Sequence, residues 1–204
     1  PIFKTGNYYF GSSESALRIA YRMVMGQLGV LQVKVTIPEG LASPDTARAI
    51  KRDIPTFDDK GFLALARPLE GYLFPDTYFF DRNTTPQDAI AAMRDNFDVQ
   101  TKGLQGPTTI GGIRYSFAQI LTMASLVEEE ATSTADRRVI AGILWKRMQN
   151  GMALQVDAPF FYILGKTSAE LTLKDLATSS PYNLYKHTGL PPTPIDNPSL
   201  DSIV

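Results

Sequence analysis

Residues 116–130 have the sequence SFAQILTMASLVEEE, which joins an apolar segment to three carboxylates. Its first residues include Ser116 and Gln119, which form a capping box and so predict the first turn of a helix. Apolar residues then recur at helical spacing and define one stripe along that helix, formed by Phe117, Ile120, Leu121, Ala124 and Val127. The sequence therefore predicts a helix through about Glu130 that packs against the interior.

Three consecutive carboxylates, Glu128, Glu129 and Glu130, end this helix. A solvated helix end is the ordinary interpretation of such a run. Acidic residues at a helix C-terminus nevertheless oppose the helix dipole, and the approach from Ile120 to Val127 is almost entirely apolar. Because crowding and desolvation raise the pKa of a carboxyl group toward that of a working general acid, the cluster is a candidate catalytic site.

Helical geometry gives the three carboxylates different surroundings, because successive residues are about 100° apart. Glu128 projects into the apolar stripe, whereas Glu130 lies at its edge. Glu129 points the opposite way, beside Thr122 and Ser125, and is expected to lie in water. Spacing alone leaves both Glu128 and Glu130 as plausible acids.

Residues 1–52 alternate between helical and strand patterns. The pattern predicts a helix from Ser12 or Ser13 to about Gln27, and a strand from Leu31 to Ile37 with alternating apolar and polar residues. A second helix reaches about Arg52, with Ser43 as its N-cap and a proline at the first helical position. The apolar face of the first helix would be formed by Leu17, Ala20, Tyr21, Val24 and Leu28.

Residues 53–204 are predicted to be mainly helical. Segment 53–82 is rich in proline, glycine and aromatic residues and is expected to form loops and short extended pieces, and the glycine-rich segment 101–115 is expected to be a loop. A helix of residues 85–97 lies between them, and another of residues 135–149 is expected to bury Val139, Ile140, Ile143 and Leu144. The expected fold class is α+β, with a small N-terminal subdomain before a mainly helical domain, and both ends are expected to be cuts in a longer protein.

Composition excludes several kinds of site. The chain has 204 residues, 20 Lys and Arg against 21 Asp and Glu, no cysteine and one histidine, His187. The charge balance gives no electrostatic reason to expect nucleic acid as a partner. Thiolate and multi-histidine metal sites are impossible, so no metal and no cofactor is expected. Catalysis would rest on carboxylates, hydroxyls and amides.

Five segments, in order, resemble those of the endolytic murein transglycosylase (MltG/YceG-like) family. The segment LTMASLVEEEA at residues 121–131 resembles the family's catalytic helix end. The other four are TIPEG at residues 36–40, EGYLFPDTY at residues 70–78, GMALQVD at residues 151–157, and SPYNLY at residues 180–185, continuing to GLPPTPIDNP at residues 189–198. The resemblance spans essentially the whole chain.

The resemblance implies an enzyme that cuts peptidoglycan glycan strands internally, between N-acetylmuramic acid and N-acetylglucosamine, and leaves a 1,6-anhydro-N-acetylmuramic acid end. It implies that the second glutamate of the E-x-E pair, Glu130, is the catalytic acid. A single carboxylate suffices for such a reaction, because the 6-hydroxyl of the sugar attacks the anomeric carbon itself. Residues 1–52 resemble part of the family's LysM-like subdomain, and residues 53–204 its catalytic domain, with the C-terminal continuation missing.

Six further residues are predicted to contact the substrate: Glu70, Gln155, Asp157, Tyr182, Asn183 and Tyr185. Each has a structural alternative, such as loop packing for Glu70 or a tight turn held by the side chain of Asn183. The chain has Asp157-Ala158-Pro159 where the family usually has Asp-Pro-Thr or Asp-Pro-Ser, which affects the expected loop geometry and not the enzyme class.

The resemblance also implies partners and a location. Peptidoglycan strands are the expected substrate, peptidoglycan synthases and the elongation machinery are possible partners, and the full-length protein would be anchored at the extracytoplasmic face of the bacterial cytoplasmic membrane, with the anchor absent from this chain. Two other functions stay open. One is a peptidoglycan-binding scaffold without turnover, and the other is a hydrolase that pairs Glu130 with Glu70 or Asp157.

Overall fold

The computed structural model describes residues 3–6, 8, 14–26 and 32–204, and it confirms the α+β fold class. The described helices are α1 (Ala16–Met25), α2 (Ser43–Asp53), α3 (Asp59–Ala66), α4 (Pro86–Gln100), α5 (Phe117–Glu130), α6 (Thr134–Gln149), α7 (Ala158–Leu164), α8 (Leu173–Leu176) and α9 (Leu200–Ile203). The strands are β1 (Val33–Thr36), β2 (Thr77–Phe80), β3 (Thr108–Ile110) and β4 (Ile113–Tyr115), and two short 3₁₀ turns cover Arg67–Leu69 and Ser168–Glu170.

The first core packs helices α2, α3 and α4 on the small sheet formed by β1 and β2. These strands are antiparallel, with Val33 opposite Phe80 and Thr36 opposite Thr77. The core side chains come from both strands and all three helices, and include Val35, Ile50, Phe62, Tyr78 and Met93. We predicted a boundary between two subdomains at residues 52 and 53. Residues on both sides of that position share one sheet and one hydrophobic core. The LysM-like character of residues 1–52 stays a prediction.

The second core surrounds α5, which begins at the predicted capping box of Ser116 and Gln119. Every residue from Leu121 to Val127 is buried, so the middle of the helix is enclosed on all sides and not along one stripe. Glu129, which we predicted to lie in water, is exposed, whereas Thr122 and Ser125 on the same side of the helix are buried. Ser125 donates to the carbonyl of Thr122 over 2.9 Å and accepts from the Ile195 N–H over 3.1 Å.

Several other expectations need correction. Segment 53–82 contains the helix α3, whereas its strand β2 agrees with the extended pieces predicted there. Segment 101–115 contains the β3–β4 hairpin, whose two glycines, Gly111 and Gly112, both have positive φ. Val139 and Ile143 of α6 are 62% and 52% exposed, because α6 turns its Leu144 and Trp145 side toward α5. Helix α3 and the β3–β4 hairpin were not predicted, because short elements with many glycines, prolines and aromatic residues have a weak hydrophobic periodicity.

The N-terminal elements also differ in detail from the prediction. Helix α1 has Ser15 as its N-cap, and its Leu17 is 84% exposed and not in a core. Ala42, not Ser43, occupies the N-cap position of α2, and the Ser43 N–H donates to the Glu70 carboxylate. The predicted cap residues Ser12 and Ser13, the helix end at Gln27 and Leu28, and the strand start at Leu31 lie outside the described residues.

Within the described ranges, no helix combines the length and the apolar character needed to cross a lipid bilayer.

Candidate active site

The three carboxylates at the end of α5 have separate environments, and Glu128 is the one held most firmly. One oxygen accepts from Arg137 Nη2 over 2.9 Å. The other accepts from the Ser199 backbone N–H over 3.0 Å, from the Ser199 hydroxyl over 2.5 Å and from the Ser202 hydroxyl over 2.7 Å. The Glu128 carboxylate therefore fastens α5 to the first turn of α9.

These contacts determine the charge of Glu128. Burial acts to raise its pKa, but the hydrogen bonds from Ser199, Ser202 and Arg137 together hold the pKa below the ordinary value. A carboxylate that stays ionised and has all its near contacts with the protein is unsuited to deliver a proton to a substrate. The structure thus gives Glu128 a structural role and leaves Glu130 as the candidate acid.

Glu130 lies at an open cleft of about 300 Å³ between the end of α5 and the loops that flank α7. Although the residue is exposed to this cleft, partial burial of its carboxyl raises the pKa above the ordinary value. The negative charge of Asp157 raises it further, and the Asp157 backbone N–H partly offsets both effects. The cleft is lined by Glu129, Glu130, Asp157, Ala158, Phe161, Lys166, Thr167 and Ser168.

Asp157 and Tyr185 form a hydrogen-bonded pair beside Glu130. The Tyr185 hydroxyl donates to Asp157 Oδ1 over 2.6 Å, and its ring packs against Phe160 with the centroids 6.1 Å apart. This hydrogen bond, together with burial and the charge of Asp157, raises the pKa of Tyr185 to about 12. Tyr185 is therefore a neutral donor at physiological pH, and it holds the Asp157 carboxylate at the wall of the cleft.

Gln155 has an unusual backbone, with a φ of 56°, and it is the one non-glycine with positive φ among the described residues. Its N–H donates to the Leu184 carbonyl over 3.0 Å, and its side-chain oxygen accepts from Arg147 Nη2 over 2.5 Å. A residue with a Cβ held in the left-handed region costs about 1 kcal/mol, so tertiary contacts must fix this conformation. Gln155 is exposed two residues before Asp157, although it is not among the residues that line the cleft.

Glu70 is buried away from the cleft, with 3% of the residue exposed. Its carboxylate accepts from the Ser43 N–H over 3.0 and 3.2 Å, which caps the start of α2, and from Asn197 Nδ2 over 3.1 Å. Burial raises the pKa of Glu70 to about 7 against the effect of these hydrogen bonds. Its contacts are with the protein, so it supports the loop around Asn197.

Tyr182 and Asn183 lie at the turn after α8. Asn183 is fully buried, and its Nδ2 donates to the carbonyls of Leu176 and Thr178 over 2.9 and 2.8 Å, while its Oδ1 accepts from the Tyr185 N–H over 3.1 Å. This is the tight turn that we considered as the alternative for Asn183. Tyr182 is half-buried, and its hydroxyl lies 2.8 Å from that of Thr193.

Sequence reasoning missed Lys166, a basic residue of the cleft wall. Its Nζ donates to both oxygens of Asp175 over 2.7 and 2.8 Å. The spacing of Thr172 and Asp175 indicates a capping box in the sequence. The ion pair of Asp175 with Lys166 could not be predicted, because it depends on how the chain folds back after α7. No group of histidine or carboxylate residues in the described part of the chain is arranged to hold a metal ion.

Fold and site together define a mixed α+β protein whose central buried helix presents carboxylates to an open polar cleft. The chain belongs to the YceG-like family, whose model matches residues 2–204. This confirms the family predicted from the five sequence segments.

Known relatives agree with this assignment. The chain is 34% identical to an endolytic murein transglycosylase of Bacillus subtilis, over 98% of the chain and 62% of that protein. It is 39% identical to an endolytic murein transglycosylase of Streptococcus pneumoniae, over 66% of the chain and 25% of that protein. The chain therefore spans less than two thirds of either relative.

A solved structure confirms the fold. The crystal structure of a yceG-like protein from Listeria monocytogenes matches with a TM-score of 0.69 and 29% identity, over 98% of this chain and 74% of that chain.

Proposed function

We propose that this chain contains the catalytic region of an endolytic peptidoglycan lytic transglycosylase, as the names of its relatives suggest. It would cleave the bond between N-acetylmuramic acid and N-acetylglucosamine and leave a 1,6-anhydro-N-acetylmuramic acid end. The observation that carries the proposal is that two glutamates in the same turn of α5 have different surroundings. Glu128 is ionised and bound by the protein, whereas Glu130 faces the cleft with a raised pKa.

Glu130 would perform both proton transfers. As an acid it donates its proton to the glycosidic oxygen, and the bond from that oxygen to the anomeric carbon breaks. The 6-hydroxyl of the same muramic acid then attacks the anomeric carbon, and the Glu130 carboxylate accepts the hydroxyl proton. The nucleophile belongs to the substrate, so its effective concentration is high and no second catalytic carboxylate is needed.

Asp157 and Tyr185 would assist this step by their position. The Asp157 charge raises the pKa of Glu130, which favours the protonated form that the first step uses. Asp157 also places negative charge where the anomeric carbon becomes positive in an oxocarbenium-like state. Tyr185 keeps that carboxylate in place through its 2.6 Å hydrogen bond.

The other predicted substrate contacts divide into two groups. Gln155 is exposed and Tyr182 is half-buried, and we propose that they contact the glycan strand. Glu70 and Asn183 are buried and fully engaged with the protein, and we propose that they act by holding the loops of Asn197 and Tyr185.

One alternative has a specific observation in its favour. Asp157 lies in the same cleft as Glu130, so a hydrolase could use it as the second carboxylate to activate water. Glu70 is unsuited to that task because it is buried against Ser43 and Asn197. A scaffold that binds peptidoglycan without cleaving it is the remaining alternative.

The test compares Glu130→Gln and Asp157→Asn on purified peptidoglycan, with release of soluble glycan as the readout. The proposal expects Glu130→Gln to lose activity by at least about a thousandfold and Asp157→Asn to retain measurable turnover, since general acid–base groups contribute about 10²–10⁴-fold. Equal and complete loss in both variants would favour the hydrolase. Binding without any release by the unmodified chain would favour the scaffold.

Partners and location follow from the same proposal. A murein-cleaving enzyme acts outside the cytoplasmic membrane, and we propose that the full-length protein is anchored at that face beside peptidoglycan synthases and the elongation machinery.

A further inference from the structure

Asp196 is a buried carboxyl that receives no hydrogen bond. It is 2% exposed, and neither of its side-chain oxygens has a hydrogen-bond donor within reach. The backbone on both sides is fixed, because the Ile195 N–H donates to Ser125 and Asn197 forms an antiparallel bridge with Leu41. Asp196 therefore cannot turn to solvent without moving the loop that joins the two cores.

The groups around Asp196 are acids. Its carboxyl contacts that of Glu129 within hydrogen-bonding range, and the other charges that act on it belong to Glu128 on the same helix and to Glu70 on the loop after α3. Arg137, the cation beside Glu128, is already paired with Glu128 and Asp201. Among the described residues, the charges that act most strongly on Asp196 are therefore all negative.

Two ionised carboxylates in contact, one of them without water or a donor, would be strongly unfavourable. A single proton between them removes both problems, since a protonated carboxyl can donate to the other one. We propose that Asp196 carries a proton that it donates to the Glu129 carboxylate, and that it thereby acts as a positioning residue for the cleft wall next to Glu130. The positioning role rests on the proposed function, whereas the shared proton does not.

The surroundings of Glu129 fit this arrangement. Gly40, with a φ of 75°, lies against its other side, and a Cβ built there would be 3.1 Å from Glu129 Oε1. The Glu129 carboxyl is thus confined between Gly40 and Asp196 while its residue lines the cleft. The pair would carry one negative charge instead of two, which limits the repulsion between this wall and an anionic glycan strand.

The pKa directions agree with the geometry. Burial and the neighbouring carboxylates raise the pKa of Asp196 well above its ordinary value, and burial together with the charges of Glu128 and Glu130 raises that of Glu129. Coupled carboxyls of this kind lose their two protons in separate steps, whose pKa values belong to the pair and not to either residue.

Infrared difference spectroscopy at about pH 8 tests the proton directly, because a protonated carboxyl has its own C=O stretching band. We expect Asp196→Asn to remove one such band from the spectrum of the folded chain. Glu70→Gln is the matched control, since Glu70 is a second buried acid but its pKa of about 7 leaves it mostly ionised at that pH. An unchanged band in Asp196→Asn would overturn the shared proton, whatever the catalytic activity.

Kinetics test the positioning role. Asp196→Asn keeps an N–H that can donate to Glu129, whereas Asp196→Ala removes the donor. We expect Asp196→Asn to keep kcat within about threefold and Asp196→Ala to lower kcat by about tenfold or more with KM little changed, as misplaced groups do in active sites. If Asp196→Ala lowers the melting temperature but keeps the original kcat, Asp196 is only structural and the positioning role is wrong.

The infrared and kinetic experiments distinguish a failure of the proposed function from a failure of the inference about Asp196. If the unmodified chain cleaves no peptidoglycan, the proposed function fails, but the infrared result still decides whether Asp196 holds a proton. If Asp196→Ala does not fold, the positioning role is decided by Asp196→Leu and Asp196→Asn, of which only the second restores a donor to Glu129.

Discussion

Replacing Glu128 by glutamine tests whether this residue is structural. The Glu128 side chain is 7% exposed, and its carboxylate receives the Arg137 ion pair and three hydrogen bonds from Ser199 and Ser202. Removing one partner of a buried ion pair costs about 3–5 kcal/mol, and an amide oxygen can still accept one or two of these bonds. We therefore expect Glu128→Gln to lower the free energy of unfolding by about 2–4 kcal/mol.

Thermal unfolding measures this directly. For a chain of this size the expected loss corresponds to a decrease in Tm of roughly 5–12 °C. Asp98→Asn is the matched control, because Asp98 pairs with Arg94 at 3.2 Å on an exposed face and such pairs contribute about 0.3–0.5 kcal/mol. The Glu128 variant should retain more catalytic activity than Glu130→Gln when both are assayed below their unfolding temperatures.

The pH dependence gives a second test of the same prediction. The pKa of Glu128 is lowered in the folded chain, so its ionised contacts stabilise the fold above the ordinary pKa of 4.5 and are lost as the pH falls through the folded value. The difference in Tm between the unmodified chain and Glu128→Gln should therefore shrink in acid. Equal Tm values at neutral pH, or a difference that persists unchanged in acid, would refute the assignment.

Three other changes follow from single contacts. Tyr185→Phe removes the 2.6 Å bond to Asp157 and should lower kcat about tenfold with little change in Tm; an unchanged kcat would contradict the positioning of Asp157. Asn183→Ala leaves two partly buried carbonyls without this donor and should cost about 1–3 kcal/mol in urea unfolding, and no measurable loss would show that water replaces the side chain. Gln155→Gly relieves the positive φ and should raise or preserve stability while weakening glycan binding; a large loss of stability would mean that the contact with Arg147 dominates.

Local signals in the sequence predicted the starts of α4 and α5 and the end of α6. Helix α5 begins at the capping box of Ser116, and α4 begins at Thr85, where a capping box with Asp88 forms in the structure. The Gly151 stop after α6 is also present, with Gly151 in the left-handed region. Such signals involve residues three or four positions apart, so they can be read without knowledge of the fold.

The features of the site that the sequence could not predict depend on contacts between residues that lie far apart along the chain. The division of roles between Glu128 and Glu130 depends on Ser199, which lies 71 residues from Glu128 along the chain. The burial of Glu70 depends on Asn197, 127 residues away. Helical spacing placed Glu128 on the inner side of α5 correctly, but it could not show which loop would meet that side.

Mass spectrometry of the products tests whether Glu130 is the one carboxylate that transfers protons and the substrate supplies the nucleophile. We predict glycan products about 18 Da lighter than hydrolysed fragments, since no water is added in the intramolecular reaction. These products should be absent when Glu130→Gln replaces the unmodified chain. Products with ordinary reducing ends, or the same lighter products from Glu130→Gln, would contradict the account.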